Sequence, residues 1–164
     1  MKILTSIFIL FLLSSCSWLT PKYTSGLEGK DLPNIKLLSK DSITNINIKS
    51  ISYGQPFVLF LYHSSCPYCN AQTVDILKHI SFLKTVQIYF ITTDSFTSMK
   101  QYSTHFHLDN YPNIIMAHDY DAQFLDYFKA PGEPYLAFYD KRQKLKHVLL
   151  GKSDFQVIQD ILNN

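Results

Sequence analysis

Cys66 and Cys69 enclose Pro67 and Tyr68, and this quartet stands between two apolar segments of different period. Phe57 to Tyr62, after Gly54 and Pro56, is a continuous apolar run of strand length, as expected of a central strand buried on both faces. From Pro67 onward Val74, Leu77 and Ile80 or Ser81 recur at helical spacing. The cysteines therefore mark a strand-to-helix junction, which confines the chain to folds that open a helix at the end of a buried strand. Two sulfurs come within disulfide reach when one cysteine caps a helix and the other lies one turn in. Pro67 suits the first helical position, where its missing N–H costs nothing and its φ is already helical. Cys66 is then the N-cap, facing unpaired N–H groups and the positive end of the helix dipole, a setting that favours thiolate over thiol. Cys66 is the expected nucleophile. Cys69, deeper in the helix, is expected to keep its proton until it attacks the mixed disulfide.

The other apolar segments alternate between strand and helix periods, which indicates an α/β architecture around a central mixed sheet. Ile35 to Leu38 and Ile43 to Ile48 flank the polar Ser39-Lys40-Asp41-Ser42 and predict an initial hairpin. Val86 to Ile91 predicts a second buried strand, and Ser95 can cap a helix with Met99, Tyr102 and Phe106 inward. A short strand over Asn113 to Met116 and a short helix carrying Phe124, Leu125 and Phe128 follow. Tyr135 to Tyr139 and Leu145 to Leu150 are joined by so short a turn that they must be antiparallel. Ser153 and Gln156 have the spacing of a capping box for a last helix with Phe155, Ile158 and Ile161 or Leu162 inward.

The first residues bear on location. Lys2 precedes a mostly apolar stretch from Ile3 to Leu13 that gives way to small residues before Cys16. At about 1.5 Å per residue this stretch is too short to cross a hydrocarbon core about 30 Å thick, so it predicts a signal peptide over residues 1–15. Leu13-Ser14-Ser15-Cys16 resembles the bacterial lipobox, which implies cleavage before Cys16 and a diacylglycerol on its sulfur. Residues 16–30 hold Pro21, Ser25, Gly26 and Gly29 and predict a lipid-anchored flexible tether of about 20 Å reach. Residues 31–164 form the expected domain. The chain would then face the periplasm or the exterior from a bacterial membrane, in the cell envelope. The net charge of +2 and the absence of a basic stripe argue against nucleic acid, and a monomer is expected.

With Cys16 blocked by lipid, Cys66 and Cys69 are the only free thiols left. Zinc would need more ligands than one C-x-x-C, and His105 and His107 are too closely spaced to complete a site, so no metal is expected. A purely structural disulfide closing so short a loop would restrict the unfolded chain little. The remaining reading is redox chemistry.

Val58-Leu59-Phe60-Leu61-Tyr62-His63-Ser64-Ser65-Cys66-Pro67-Tyr68-Cys69 resembles the active-site segment of thioredoxin-like proteins, especially the membrane-tethered TlpA/ResA branch with its extra N-terminal hairpin. Gly132-Glu133-Pro134-Tyr135 resembles their cis-proline segment, just before the closing hairpin. The resemblance implies a thioredoxin-like fold and a cis bond before Pro134. It further implies that Glu133 offers backbone groups to a bound peptide. It also implies thiol–disulfide exchange with exported protein thiols or disulfides, in the reducing direction and with a membrane electron donor or acceptor. No cofactor beyond the redox-active Cys66–Cys69 disulfide is implied. Relatives often carry a buried acid where this chain has Phe60 or Gln72, so Glu133 is a candidate either to replace it in activating Cys69 or to disfavour the Cys66 thiolate by like-charge repulsion. His63, three residues before Cys66, is a second candidate if it approaches the sulfur. Pro67-Tyr68 matches the pair between the cysteines of dithiol glutaredoxins, which hints at a potential nearer about −200 mV than about −270 mV. Two other functions fit the fold family: a thiol peroxidase, and a copper-handling or partner-binding module without enzymatic activity.

Overall fold

The computed structural model describes residues 23–51 and 54–163. The expected signal peptide, Cys16 and the tether as far as residue 22 lie outside the described residues. Residues 23–30, expected to be tether, lie on the domain. Tyr23 and Leu27 pack against the core, and Tyr23 meets Tyr135 edge-on at 6.1 Å between ring centres. Gly29 N–H donates to the Leu145 carbonyl at 2.7 Å and Leu145 N–H to the Lys30 carbonyl at 2.9 Å. Gly29 takes φ +82°, a turn that brings the chain back to the sheet and that a residue with Cβ resists.

Seven strands form one sheet: β1 (Lys36–Ser39), β2 (Asn45–Asn47), β3 (Phe57–Leu61), β4 (Gln87–Thr92), β5 (Ile114–His118), β6 (Tyr135–Tyr139) and β7 (Leu145–Leu150), in the order β2-β1-β5-β4-β3-β6-β7. β3, β4 and β5 are mutually parallel, while the β1–β2 hairpin and the β6–β7 hairpin join antiparallel on either side. Four helices complete the chain: α1 (Pro67–Lys78), α2 (Phe96–His105), α3 (Gln123–Phe128) and α4 (Phe155–Asn163). The expected mixed sheet, its N-terminal hairpin and its flanking helices are all present.

All five residues of β3 are buried, and their alternation divides the interior in two. Val58 and Phe60 join Cys69, Ile76, Met99, Tyr102 and Ile158, so α1, α2 and α4 share one face of the sheet. Phe57, Leu59 and Leu61 point the other way, toward Leu37, Phe124, Phe128 and Tyr139, beneath α3. Burying a side chain of this size contributes about 1.5–3 kcal/mol, so β3 is firmly anchored and fixes the place where the motif emerges.

Two helical expectations are corrected. The inward face of α1 carries Cys69, Gln72, Thr73 and Ile76; Leu77 and Ile80 pack against the core as expected, whereas Val74 is 41% exposed. The polar pair goes inside because it finds partners there: Thr73 shares a hydrogen bond with the Tyr102 hydroxyl at 2.7 Å, and Gln72 Oε1 accepts the Ser153 N–H at 2.8 Å. That second bond also removes the expected capping box. With its N–H taken by Gln72, Ser153 turns its hydroxyl to the Gly151 carbonyl, and Gln156 bonds Asp160 instead.

Candidate active site

The motif is built on the end of β3. Cys66, with φ −79° and ψ 115°, is the N-cap of α1, Pro67 fills the first turn, and the Cys66 Sγ accepts the Cys69 N–H at 3.2 Å. Asn70 N–H closes the first helical turn on the Cys66 carbonyl at 3.1 Å. Cys66 is partly exposed and Cys69 fully buried, both as free thiols. Tyr68 stands 66% exposed beside them.

Across from the helix, Leu61 pairs with Tyr135, which sets Pro134 beside the end of β3. The Glu133–Pro134 bond is cis, as expected, and the Cys66 thiol donates to the Glu133 carbonyl at 3.8 Å. Pro134 is buried, and its own carbonyl accepts the Gly151 N–H at 2.8 Å. The nucleophile candidate, the resolving candidate and the proline segment therefore share one site.

Burial holds the Cys69 thiol well above its ordinary pKa, and its hydrogen bond to Cys66 and the charge of Glu133 push the same way. The nearby backbone of His63 pushes the other way, toward the ionised form. The Glu133 carboxyl is also raised, first by burial and then by the charge of Asp94, while His63 draws it down.

His63 is not an isolated loop residue. Its Nε2 lies 2.9 Å from Asp94 Oδ1, and its Nδ1 accepts from Ser65 N–H at 3.3 Å. Asp94, just past β4, has a side chain only 8% exposed and also accepts the Ser64 N–H at 2.6 Å. Reading the sequence for motifs missed Asp94. A signal was present in Thr92-Thr93-Asp94, a polar group directly at the C-terminal end of a buried parallel strand, where α/β sheets place their sites. Behind Cys69, the Tyr62 and Tyr102 rings pack at a tilt of 34° with centres 4.3 Å apart. Phe60 and Gln72, where relatives carry acids, are both fully buried and uncharged.

A cleft of about 270 Å³ runs beside the motif, lined by Ser64, Ser65, Asn70, Tyr102, His105 and Phe106. A larger one, about 480 Å³, lies at the other end of β6 around Asp140, Arg142 and Ile161, away from the cysteines. Among the described residues no three His, Cys, Asp or Glu side chains cluster as metal ligands, and no helix is long and apolar enough to cross a membrane.

Residues 29–148 match the AhpC/TSA family. The chain belongs to that family. No curated protein sequence matches the chain. Among solved structures, this AhpC/TSA protein is similar to a secreted Mycobacterium tuberculosis disulfide oxidoreductase homologous to E. coli DsbE, with 17% identity over 80% of this chain and 96% of that one and a TM-score of 0.66. It is similar to the thioredoxin domain of the thiol-disulfide oxidoreductase BVU-2223 from Bacteroides vulgatus, with 19% identity over 83% and 98% of the two chains and a TM-score of 0.66. It is also similar to AhpC from Enterococcus faecalis, with 14% identity over 82% and 90% and a TM-score of 0.65. At these identities the likeness establishes the thioredoxin-like fold of this AhpC/TSA protein.

Proposed function

We propose that this AhpC/TSA-family chain is a thiol–disulfide oxidoreductase of the TlpA/ResA-like kind. In this reading it is anchored by lipid on Cys16 in a bacterial envelope and reduces disulfides of exported proteins. The observation that carries the reading is the asymmetry of the two sulfurs: Cys66 is partly exposed at a helix N-terminus against the Glu133 carbonyl, and Cys69 is buried one turn behind it with its proton held tightly. Ionised Cys66 attacks one sulfur of a substrate disulfide, forming a mixed disulfide and releasing the other sulfur as a thiolate. Cys69 then loses its proton to solvent and attacks the Cys66 sulfur, which closes the Cys66–Cys69 disulfide and releases the second substrate thiolate. Two electrons pass from the dithiol to the substrate, and a membrane donor must restore them. The N-terminal hairpin β1–β2 supports the TlpA/ResA-like assignment.

Family membership favours a second reading, peroxide reduction. Peroxidatic cysteines in related folds have threonine and arginine close by. The single arginine of this sequence, Arg142, instead bonds Asp140 in the β6–β7 turn, at the end of β6 remote from Pro134. Disulfide exchange is therefore the better-supported chemistry.

The deciding experiment combines the Cys66–Cys69 reduction potential with trapping by Cys69→Ser in the envelope of the producing cell. A potential between about −200 and −270 mV together with mixed disulfides to exported proteins supports the proposal. Rapid consumption of hydrogen peroxide by the reduced protein, with no mixed disulfides to proteins, would select the peroxidase.

A further inference from the structure

The described chain enters the domain at the same end as the cysteines. Tyr23 meets Tyr135 edge-on, and Tyr135 directly follows the cis Glu133–Pro134 bond, whose Glu133 carbonyl accepts the Cys66 thiol at 3.8 Å. From Tyr23 the chain runs away from that end. Gly29 and Lys30 exchange backbone hydrogen bonds with Leu145, which pairs with Tyr139 rather than Tyr135, and Lys144 Nζ holds Asp31 at 2.7 Å. Tyr135 and Tyr139 are the two ends of β6, about 13 Å apart at the rise of a strand. Traced back toward Cys16, the chain therefore leaves the sheet at its redox end.

Seven peptide steps separate Tyr23 from Cys16, and however they run they span at most about 25 Å. A domain of the described length is about 35 Å across. With Cys16 held in the bilayer surface by its lipid, turning the domain end over end would carry Tyr23 to the far side, beyond the reach of those seven steps. The side chains at the redox end suit a boundary between apolar and polar surroundings. Tyr68 is 66% exposed beside the cysteines, Tyr120 is 43% exposed just past β5, which runs parallel with β4 and β3, and Leu150, 37% exposed, pairs with Tyr135. The turn at the opposite end of β6 carries Asp140, Lys141 and Arg142.

We propose that the short span from Cys16 to Tyr23 holds the redox end toward the bilayer, and that the partner Cys66 meets there is a dithiol held at the membrane surface, the donor that restores the reduced protein. The inference rests on the lipid-anchored oxidoreductase reading and adds where its donor sits. One donor thiolate attacks the Cys66 sulfur of the Cys66–Cys69 disulfide, and Cys69 leaves as a thiolate that takes up a proton. The second donor thiolate attacks the mixed disulfide, which closes the donor's own disulfide and releases Cys66. Two electrons pass to the chain, and the two donor protons balance them.

The test uses the full lipidated chain in phosphatidylcholine vesicles that carry an acceptor dye on a lipid headgroup. A donor dye is placed on Cys66 in one preparation and, in another, on Lys141→Cys in a Cys66→Ser background, at the opposite end of the sheet. Energy transfer to the headgroups should be the greater from Cys66. Inserting twenty Gly and Ser residues after Ser17, which adds about 25 Å of root-mean-square reach, should remove the difference. The same insertion should slow reduction of the Cys66–Cys69 disulfide by a dihydrolipoyl group on phosphatidylethanolamine about fivefold, and should leave reduction by soluble dihydrolipoamide unchanged. Equal transfer from the two ends in the parent protein, or a lipid-borne rate that the insertion leaves unchanged, overturns the inference. A chain that carries no diacylglycerol on Cys16 and does not float with the vesicles overturns the anchor and the inference with it, while the soluble dithiol still tests disulfide exchange. A Cys66–Cys69 disulfide that soluble dithiol cannot reduce overturns the oxidoreductase reading instead, and the energy transfer still reports which end faces the membrane.

Discussion

The Cys66 thiol reaches the Glu133 carbonyl at 3.8 Å, and the half-buried carboxylate of that same glutamate is felt by Cys69. One residue thus offers a backbone acceptor to the attacking sulfur and a negative charge to the resolving one. That charge opposes ionisation of Cys69, so Glu133 makes resolution harder.

Glu133→Gln should therefore ease Cys69 ionisation and shift the pH profile of Cys69 alkylation, followed by mass mapping in Cys66→Ser, to lower pH. A shift to higher pH would instead assign Glu133 the part of a proton acceptor.

Folding stability gives a separate check. Burial raises the Glu133 carboxyl in the folded protein, so the native state holds this proton more tightly than the unfolded chain does. Its contribution is therefore fully present below the ordinary glutamate range and is lost as pH rises through the raised folded value. Glu133→Gln should remove this component, and the variant should be the more stable protein at neutral pH. Urea unfolding at several pH values measures the difference.

Gln72→Leu should cost about 1–2 kcal/mol in urea unfolding, because it leaves the Ser153 N–H without its acceptor and releases the entry to α4. The Gln72 Nε2 has no partner to lose, so the cost comes from the oxygen alone.

Val74 and Ile76 separate the observed face of α1 from the one its apolar pattern suggests. Val74→Lys should change stability by less than about 0.5 kcal/mol, whereas Ile76→Ala should cost about 2–5 kcal/mol. Chemical denaturation of the two variants checks the orientation.

Asp119, 1% exposed, accepts the N–H groups of Gln123 and Phe124 at 2.9 Å each and starts α3. Asp119→Ala should cost about 1–2 kcal/mol by the same assay, and Asp119→Asn less.

Much of this was legible from sequence because hydrophobic pattern and backbone chemistry acted together. The all-apolar Phe57–Leu61, the proline after Cys66 and the short polar turn after Tyr139 each leave one local answer, and the strand, the capped helix and the hairpin follow. What stayed hidden depends on partners distant in the chain. Gln72 and Thr73 look like surface residues until Ser153 and Tyr102 arrive to satisfy them. His63 was visible as a candidate beside the motif, but its orientation depends on Asp94, 31 positions away, brought near only by the parallel pairing of β3 with β4. Tyr23 to Lys30 has the composition of a linker, yet aromatic packing on Tyr135 and pairing with Leu145 draw it onto the sheet.

The most direct measurement of the central claim is competitive alkylation of the reduced protein with limiting iodoacetamide at neutral pH, quenched early and mapped by mass. Label on Cys66 alone, with Cys69 modified only after unfolding, is the predicted result. Label on Cys69 first, or on both sulfurs at equal rates, would contradict the assignment of nucleophile and resolving thiol.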